Sequence, residues 1–415
     1  MTTPRRPTLR ILGCRGLPAA HGGFETFAQT LALHLVARGW RVVVYGQEPG
    51  AGATFEDTWQ GIDRVQVPSG GSGAAAAVRF DWRCIDHARQ YPQDLCLTLG
   101  YNTALFCLRL RAAGVTNLIN MDGIEWRRAK WSPLVKLWFW LNDIAACRLA
   151  DHLVADHPEI ARLLRRRTDA ARISTIVYGA EAPVAGAESA EVPLSLGLIP
   201  GRYATLVARV EPENSVLEMV RAYSRRPRGL PLVVVGEAAG AYAQAVRQAA
   251  GPEVRFVGTI YDTARLAGLR AHALMYLHGH RVGGTNPSLV EALAAGNAVI
   301  AHDNVFNRWV AGDAGAYFGD EAACDHAIGA LLADGARLRR MRAAASARFA
   351  EGFGWDGVLA AYENLLLRML PAEAGVALDL RCDAATAAAG NSSGGSSHSN
   401  SRALSPEASR AAPGP

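Results

Sequence analysis

The sequence predicts an α/β protein made of two doubly wound, Rossmann-like parallel-sheet domains facing each other across a cleft. Three observations carry this reading. Short apolar runs alternate with amphipathic segments through both halves, the rhythm of strand–helix–strand units whose helices cover a parallel sheet on both faces. Between Glu181 and Gly201 the chain loosens into APVAGAESAEVPLSLGLIPG, poor in aromatics, and the rhythm then restarts. The 415 residues, 50% of them apolar, suffice for two sizeable cores.

In the first half, TLRILGC reads as a strand, ETFAQTLALHLVARG as an amphipathic helix ending at Gly39, and WRVVVYG as the next strand. DLCLTLG, TNLINMDG, ADHLVAD and RISTIVYGA continue the pattern to about residue 181. In the second half the strand candidates are YATLVARV, LPLVVVGE, EVRFVGTI, ALMYLHG, NAVIAHDN and AGAYFG, with helical segments between most of them. WDGVLAAYENLLLRML reads as a closing helix. The expected division is residues 1–190, residues 191–371 including that helix, and a Ser/Gly/Ala-rich tail over 372–415 expected to be disordered. Ligands of such folds bind where the carboxyl ends of the strands face a crevice.

Composition narrows the function. The net charge of +5 is mild, and the clusters Arg165–Arg167 and Arg225, Arg226, Arg228 are short, so they read as solvated faces and not as a nucleic-acid stripe. Seven cysteines show no C-x-x-C spacing, which favours a reducing compartment without structural zinc. MTTPRRPTLRILG runs straight into a strand, so no signal peptide is expected. WSPLVKLWFWLNDIAAC, the most apolar stretch, is interrupted by Lys136, Asn142 and Asp143 and falls short of a membrane span. A cytoplasmic chain, soluble or held at a membrane surface, is expected. The same region combines Arg127, Arg128, Lys130 and Lys136 with Trp126, Trp131, Trp138 and Trp140, a composition suited to peripheral docking on an anionic bilayer. Packing of those tryptophans under the first sheet is the alternative.

Four segments carry the chemistry. In GCRGLPAAHGGFETF, Gly22 and Gly23 open a helix and let backbone N–H groups approach a ligand; a flexible connection is the plainer reading. NMDGIEW places Asp122 and Glu125 on a cleft-facing loop, where an Asx-turn or a helix cap is the alternative. LVARVEPEN puts Arg209 just past a strand, where a guanidinium suits a diphosphate and a surface ion pair to Glu211 or Glu213 is the duller option. HGHRVGGTNPSLVEALAAG is a glycine-rich turn feeding a helix, without the Gly-Lys-Ser/Thr of a P-loop. Gly283, Gly284, Thr285, Asn286 and Ser288 surround the helix start, where an anion is favoured and where Asn286 or Ser288 can cap. One turn on, Glu291 would repel an anion and suits the neutral hydroxyls of a ribose. The first loop lacks G-x-G-x-x-G, which argues against an NAD-dependent oxidoreductase.

From about residue 8 to 370 these segments, in order, resemble the GT-B glycosyltransferases of family 4. HGGFETFAQTLALHLVARGW and EALAAGNAVIA are similar to that family's two signatures. NMDGIEW, VARVEPEN, GHRVGGTNPSLVEAL and DNVFNR resemble the bacterial rhamnosyltransferases of capsule and exopolysaccharide assembly. The resemblance implies transfer with retention from a nucleotide-sugar donor, with Asp122, Arg209 and Glu291 as catalytic residues and Glu125 on the acceptor side. It adds Gly258, Thr259 and Ile260 as the base-binding strand end. It also implies a lipid-linked saccharide acceptor, a membrane surface and no nucleic acid as partners. No cofactor and no metal are expected, and no Asp-x-Asp occurs.

Three departures stand out. Gly283 occupies the place of the first of two signature glutamates, a residue that contacts donor-sugar hydroxyls in the family; this suggests a 6-deoxyhexose, with dTDP-L-rhamnose as the expected donor. Asn214 stands where a lysine usually follows the phosphate arginine, so the diphosphate leans harder on Arg209. Asp122 replaces a histidine common in relatives. A UDP- or GDP-sugar donor and a non-catalytic nucleotide-sugar binding protein stay open.

Overall fold

Runs of Val, Ile and Leu bounded by glycine and polar residues become strands buried on both faces, as a sheet covered by helices on each side requires. The computed structural model describes residues 6–370 apart from positions 20, 21, 185 and 238, so the expected tail lies outside the described residues. The first sheet comprises β1 (Thr8–Leu12), β2 (Arg41–Glu48), β3 (Phe55–Trp59), β4 (Ile62–Pro68), β5 (Leu95–Leu99), β6 (Asn117–Asn120), β7 (His152–Ala155) and β8 (Ile173–Thr175). Its spatial order is β3-β4-β2-β1-β5-β6-β7-β8, parallel throughout except for the β3–β4 pair. That pair is a hairpin absent from the sequence reading. Gln60 and Gly61 turn it with φ of 47° and 79°, the positive pair that a two-residue hairpin turn demands.

The second sheet comprises β9 (Ala204–Val207), β10 (Leu232–Val235), β11 (Val254–Gly258), β12 (Met275–His278), β13 (Ala298–His302) and β14 (Gly315–Phe318). It is ordered β11-β10-β9-β12-β13-β14 and is parallel throughout. Strand order reverses between β1 and β5 in one sheet and between β9 and β12 in the other. Loops leaving adjacent strands diverge at such points and leave a crevice at the carboxyl ends. The segments read from the sequence as phosphate loops leave β1, β9 and β12.

The helix Trp355–Met369, expected with the second domain, packs on the first. Val358, Tyr362 and Leu366 join Leu9, Ile11, Phe27 and Leu31 in one buried cluster. Asn120, at the end of β6, donates from Nδ2 to the Tyr362 hydroxyl at 2.9 Å. The loosened junction also contains a helix, Ala187–Ser195, whose Ser189 carbonyl would lie 3.1 Å from a Cβ on Gly268. Among the described residues no helix is long and apolar enough to cross a membrane.

Candidate active site

A cavity of about 260 Å³ opens between the domains. The first domain contributes Gly23, Asp122, Gly123, Arg128, Asp156 and Tyr178; the second contributes Arg209, His280 and Gly283–Pro287. Two helices start at it, Gly23–Ala37 and Pro287–Ala294. A Cβ on Gly23 would stand 3.2 Å from Pro287 Cγ, so the glycine lets the two starts meet. Asn286 caps the second helix, its side chain accepting the Ser288 N–H at 3.0 Å, while Gly22 offers the first no side-chain cap. The N–H groups that open the first helix have no side-chain cap, and the positive ends of two helix dipoles converge on one space, where an anion is favoured.

Arg209 follows β9, with its side chain 62% exposed and 3.6 Å from Glu211, the weak surface pair weighed above. Its carbonyl is held by Asn214 Nδ2 at 2.9 Å, and Asn214 Oδ1 meets His280 Nδ1 at 2.8 Å. The residue standing in for a lysine thus braces the arginine's backbone. Because the Asn214 amide already donates to Arg209, its oxygen must accept, which puts the His280 proton on Nδ1 and leaves Nε2 as an acceptor. Burial, then Arg128 and Arg209, push the imidazole down to about 4, so it is neutral at neutral pH. A Cβ on Gly283 would stand 2.7 Å from His280 Nε2, so this glycine makes room for the ring.

Asp122 has φ of 50°, in the left-handed region that aspartate tolerates better than most residues. Its N–H donates to Asn120 Oδ1 at 3.0 Å. Asn120, and not Asp122, therefore makes the Asx-type turn weighed as the alternative. Asp156, unnoticed in the sequence, follows β7 and reaches across the cleft, where its Oδ2 accepts the Thr285 N–H at 2.9 Å and its carbonyl accepts the Thr285 hydroxyl. Its Oδ1 is buried without a hydrogen-bond partner among the described residues. A Cβ on Gly284 would come within 2.0 Å of that oxygen, so only glycine fits. Burial and then Asp122 raise the Asp156 carboxyl well above its usual range, against the Thr285 N–H; burial raises Asp122 too, against Arg128 and the Gly123 N–H.

Several expected residues do not line this cavity. Glu125 is buried, with Arg128 Nε at 2.8 Å from its Oε1 and Trp131 Nε1 donating to its Oε2 at 3.2 Å, so it positions Arg128. Glu291 pairs through Oε2 with the buried Arg270 at 2.5 Å. Gly258 and Thr259 are exposed at the end of edge strand β11, and Ile260 packs beside Leu269. Gly22 and Ser288 lie next to lining residues without joining them. Asp156, His280 and Arg128 were missed or misread; the usable signal was that Asp156 and His280, like Arg209, come within two residues of a strand's carboxyl end.

The buried histidines give a pH expectation. His157 sits edge-on to Trp309, with centroids 4.7 Å apart, and burial lowers it from 6.5 to about 4, as for His280. The folded value lies below the unfolded one, so between pH 6.5 and about 4 the unfolded chain holds more protons. Stability present above that window is therefore lost on acidification, by up to about 1.4 kcal/mol per pH unit for each histidine. His157→Asn keeps the cap on the Glu159 N–H and should flatten the acid limb of a melting-temperature profile. An unchanged slope would show that His157 titrates normally.

The two facing sheets and the cleft between their carboxyl ends define a GT-B protein. Solved structures agree with this. Sucrose-phosphate synthase from Thermosynechococcus elongatus matches with a TM-score of 0.73 at 18% identity, covering 88% of this chain and 99% of that one. Anabaena HepE in complex with UDP and glucose matches at 0.68 and 15%, covering 88% and 100%. The UDP-forming α,α-trehalose-phosphate synthase from Burkholderia vietnamiensis matches at 0.65 and 11%, again covering 88% and 100%. At such identities the likeness is one of fold. Residues 202–334 match the family described as Glycosyl transferases group 1. Residues 7–181 match a family described as Domain of unknown function (DUF1972). No curated protein matches the chain.

Proposed function

We propose that the chain is a retaining glycosyltransferase that moves L-rhamnose from dTDP-L-rhamnose to a lipid-linked saccharide in bacterial cell-surface polysaccharide assembly. The observation that carries the transferase reading is the convergence of two helix starts and Arg209 on one cavity, within a chain whose residues 202–334 match the group 1 glycosyl transferase family. In this reading the helix starts and Arg209 take the diphosphate and its growing charge, and no metal is invoked. Asp122 and the neutral Nε2 of His280 are the acceptors nearest the reacting sugar. Gly283 leaves no side chain where the family has a hydroxyl-binding carboxylate, which fits a 6-deoxy sugar. A UDP-linked donor is the second reading, favoured by the UDP held in the HepE structure. Titration of the purified chain with dTDP, UDP and GDP separates the two, and turnover of labelled dTDP-rhamnose with membrane extract as acceptor tests transfer. Binding without turnover under any donor would leave a nucleotide-sugar binding protein.

Glu291→Gln should weaken nucleoside diphosphate binding about tenfold, because an amide gives ribose one acceptor oxygen and leaves the buried Arg270 without its anion. Unaltered affinity in calorimetry would confine Glu291 to a structural role.

Peripheral membrane attachment remains part of the proposal, but by a different surface. Arg128 and Lys130 face the second domain, 3.9 Å from Glu213 and 3.6 Å from Glu211. Trp126, Trp131 and Trp138 pack on the first core, so the packing alternative holds for those three. Leu134, Leu137, Trp140 and Leu141 are 80%, 50%, 40% and 42% exposed on the helix Pro133–Leu149. Changing Leu134, Leu137 and Leu141 to aspartate should abolish sedimentation with anionic liposomes while sparing nucleotide binding. Full sedimentation of that variant would remove this face from consideration.

A further inference from the structure

A second cavity, of about 250 Å³, opens on the first domain. Met121, Ile124, Ile160 and Leu164 give it an apolar floor, and Arg127, Arg166 and Arg167 stand around it. Among the described residues Asp143 is the one acidic side chain lining it, and that carboxylate is already engaged: Arg167 pairs with it, and Trp126 Nε1 donates to it at 2.8 Å. Among the described residues neither Arg127 nor Arg166 has a carboxylate within ion-pair reach; the Arg127 guanidinium lies over the Trp126 ring at 5.0 Å. Two uncompensated guanidiniums beside an apolar floor are an unusual surface, because a solvated arginine face needs no floor and an apolar core needs no arginines. Together they suit a ligand with an apolar chain on one side and a planar-fork anion, phosphate or diphosphate, on the other. Gly123 lines both this cavity and the interdomain cavity, so the two are one residue apart.

We propose that this cavity binds the phosphate-bearing, apolar end of an anionic amphiphile, with the chain on Met121, Ile124, Ile160 and Leu164 and the phosphates on Arg127 and Arg166. Taken with the transferase reading, on which this clause alone rests, the amphiphile is the acceptor's diphosphate-linked lipid. Its saccharide then passes Gly123 to reach the reacting carbon. The two runs of basic residues seen in the sequence, at Arg127–Lys130 and Arg165–Arg167, thereby acquire separate tasks: Arg128 and Lys130 bind the opposite domain, while Arg127 and Arg166 bind ligand.

The test titrates the full chain, saturated with dTDP or UDP, with farnesyl diphosphate and separately with inorganic diphosphate. Farnesyl diphosphate should bind one to one despite the nucleotide, and inorganic diphosphate at least tenfold more weakly, because it leaves the floor empty. Arg127→Ala with Arg166→Ala should weaken farnesyl diphosphate by roughly tenfold or more, the loss of charged hydrogen bonds, while nucleotide affinity stays within about twofold. Both side chains are solvent-exposed, so the variant should fold, as its melting curve checks. Competition between farnesyl diphosphate and nucleotide, or indifference to the double substitution, would overturn the proposal. Equal affinity for inorganic diphosphate would reduce the cavity to a plain anion site and overturn it as well. If neither nucleotide binds, the transferase reading fails on its own, and the same titration without nucleotide still decides this cavity.

Discussion

Replacing Arg209 with alanine is expected to slow sugar transfer roughly a hundredfold, about 3 kcal/mol of barrier, with the fold intact. Departure of the nucleotide concentrates negative charge on the diphosphate, and Arg209 is the lining guanidinium on the donor-side domain. Its side chain is 62% exposed and its only acidic neighbour in ion-pair range among the described residues is Glu211 at 3.6 Å, so truncation removes little from stability. What fixes its position is its carbonyl, held by Asn214, and alanine keeps that bond. The split between kinetic constants is the informative readout: kcat should fall more than KM rises, since the charge grows only as the bond breaks. Near-normal turnover with an unchanged melting temperature would remove Arg209 from the mechanism.

Asp122→Asn is expected to abolish most transfer, by roughly a hundredfold or more, while donor affinity is kept. Asn120 performs the local turn role, so the Asp122 carboxylate has no structural duty there that an amide would fail to meet. It lines the cavity beside Arg128, where an acceptor hydroxyl could be oriented and its proton accepted. A second readout comes from Asp156, whose carboxyl is raised by burial and then by Asp122. Removing the Asp122 charge should lower the Asp156 carboxyl, while burial, the larger cause, continues to hold it up, a shift that NMR titration of the Asp156 carboxyl reads directly. Donor binding that collapsed together with activity would place Asp122 in the donor site or the fold instead.

The cleft residues differ in how far local sequence could reveal them. Arg209, Asp122 and the run Gly283–Asn286 were legible because each lies at the carboxyl end of an apolar run, and parallel topology gathers those ends on one edge of a sheet. Glu125 and Glu291 were legible as charges near that edge, but their partners were not. Arg128 lies three residues beyond Glu125, a spacing that permits the pair without showing that both would be buried, and Arg270, which engages Glu291, is placed by packing that no spacing in the chain encodes. The basic and tryptophan-rich segment was legible only as two alternatives for the same reason: composition shows which side chains could face a bilayer, and only burial shows that three of the tryptophans face the core.

The sequence by itself determined most of the parallel strands, the doubly wound class of both halves and the strand ends from which the site is drawn, though not the β3–β4 hairpin. Those depend on hydrophobic period and on glycine and capping residues, which act within a few positions along the chain. Tertiary structure alone decided that Asp156 crosses to Thr285, that Gly284 must be glycine to admit it, that His280 is neutral and braced by Asn214, and that the closing helix returns to the first core. The apolar period of Trp355–Met369 says that one face is buried and is silent about which sheet it meets. Contacts between domains depend on the placement of two bodies relative to each other, a long-range outcome that local propensity does not carry.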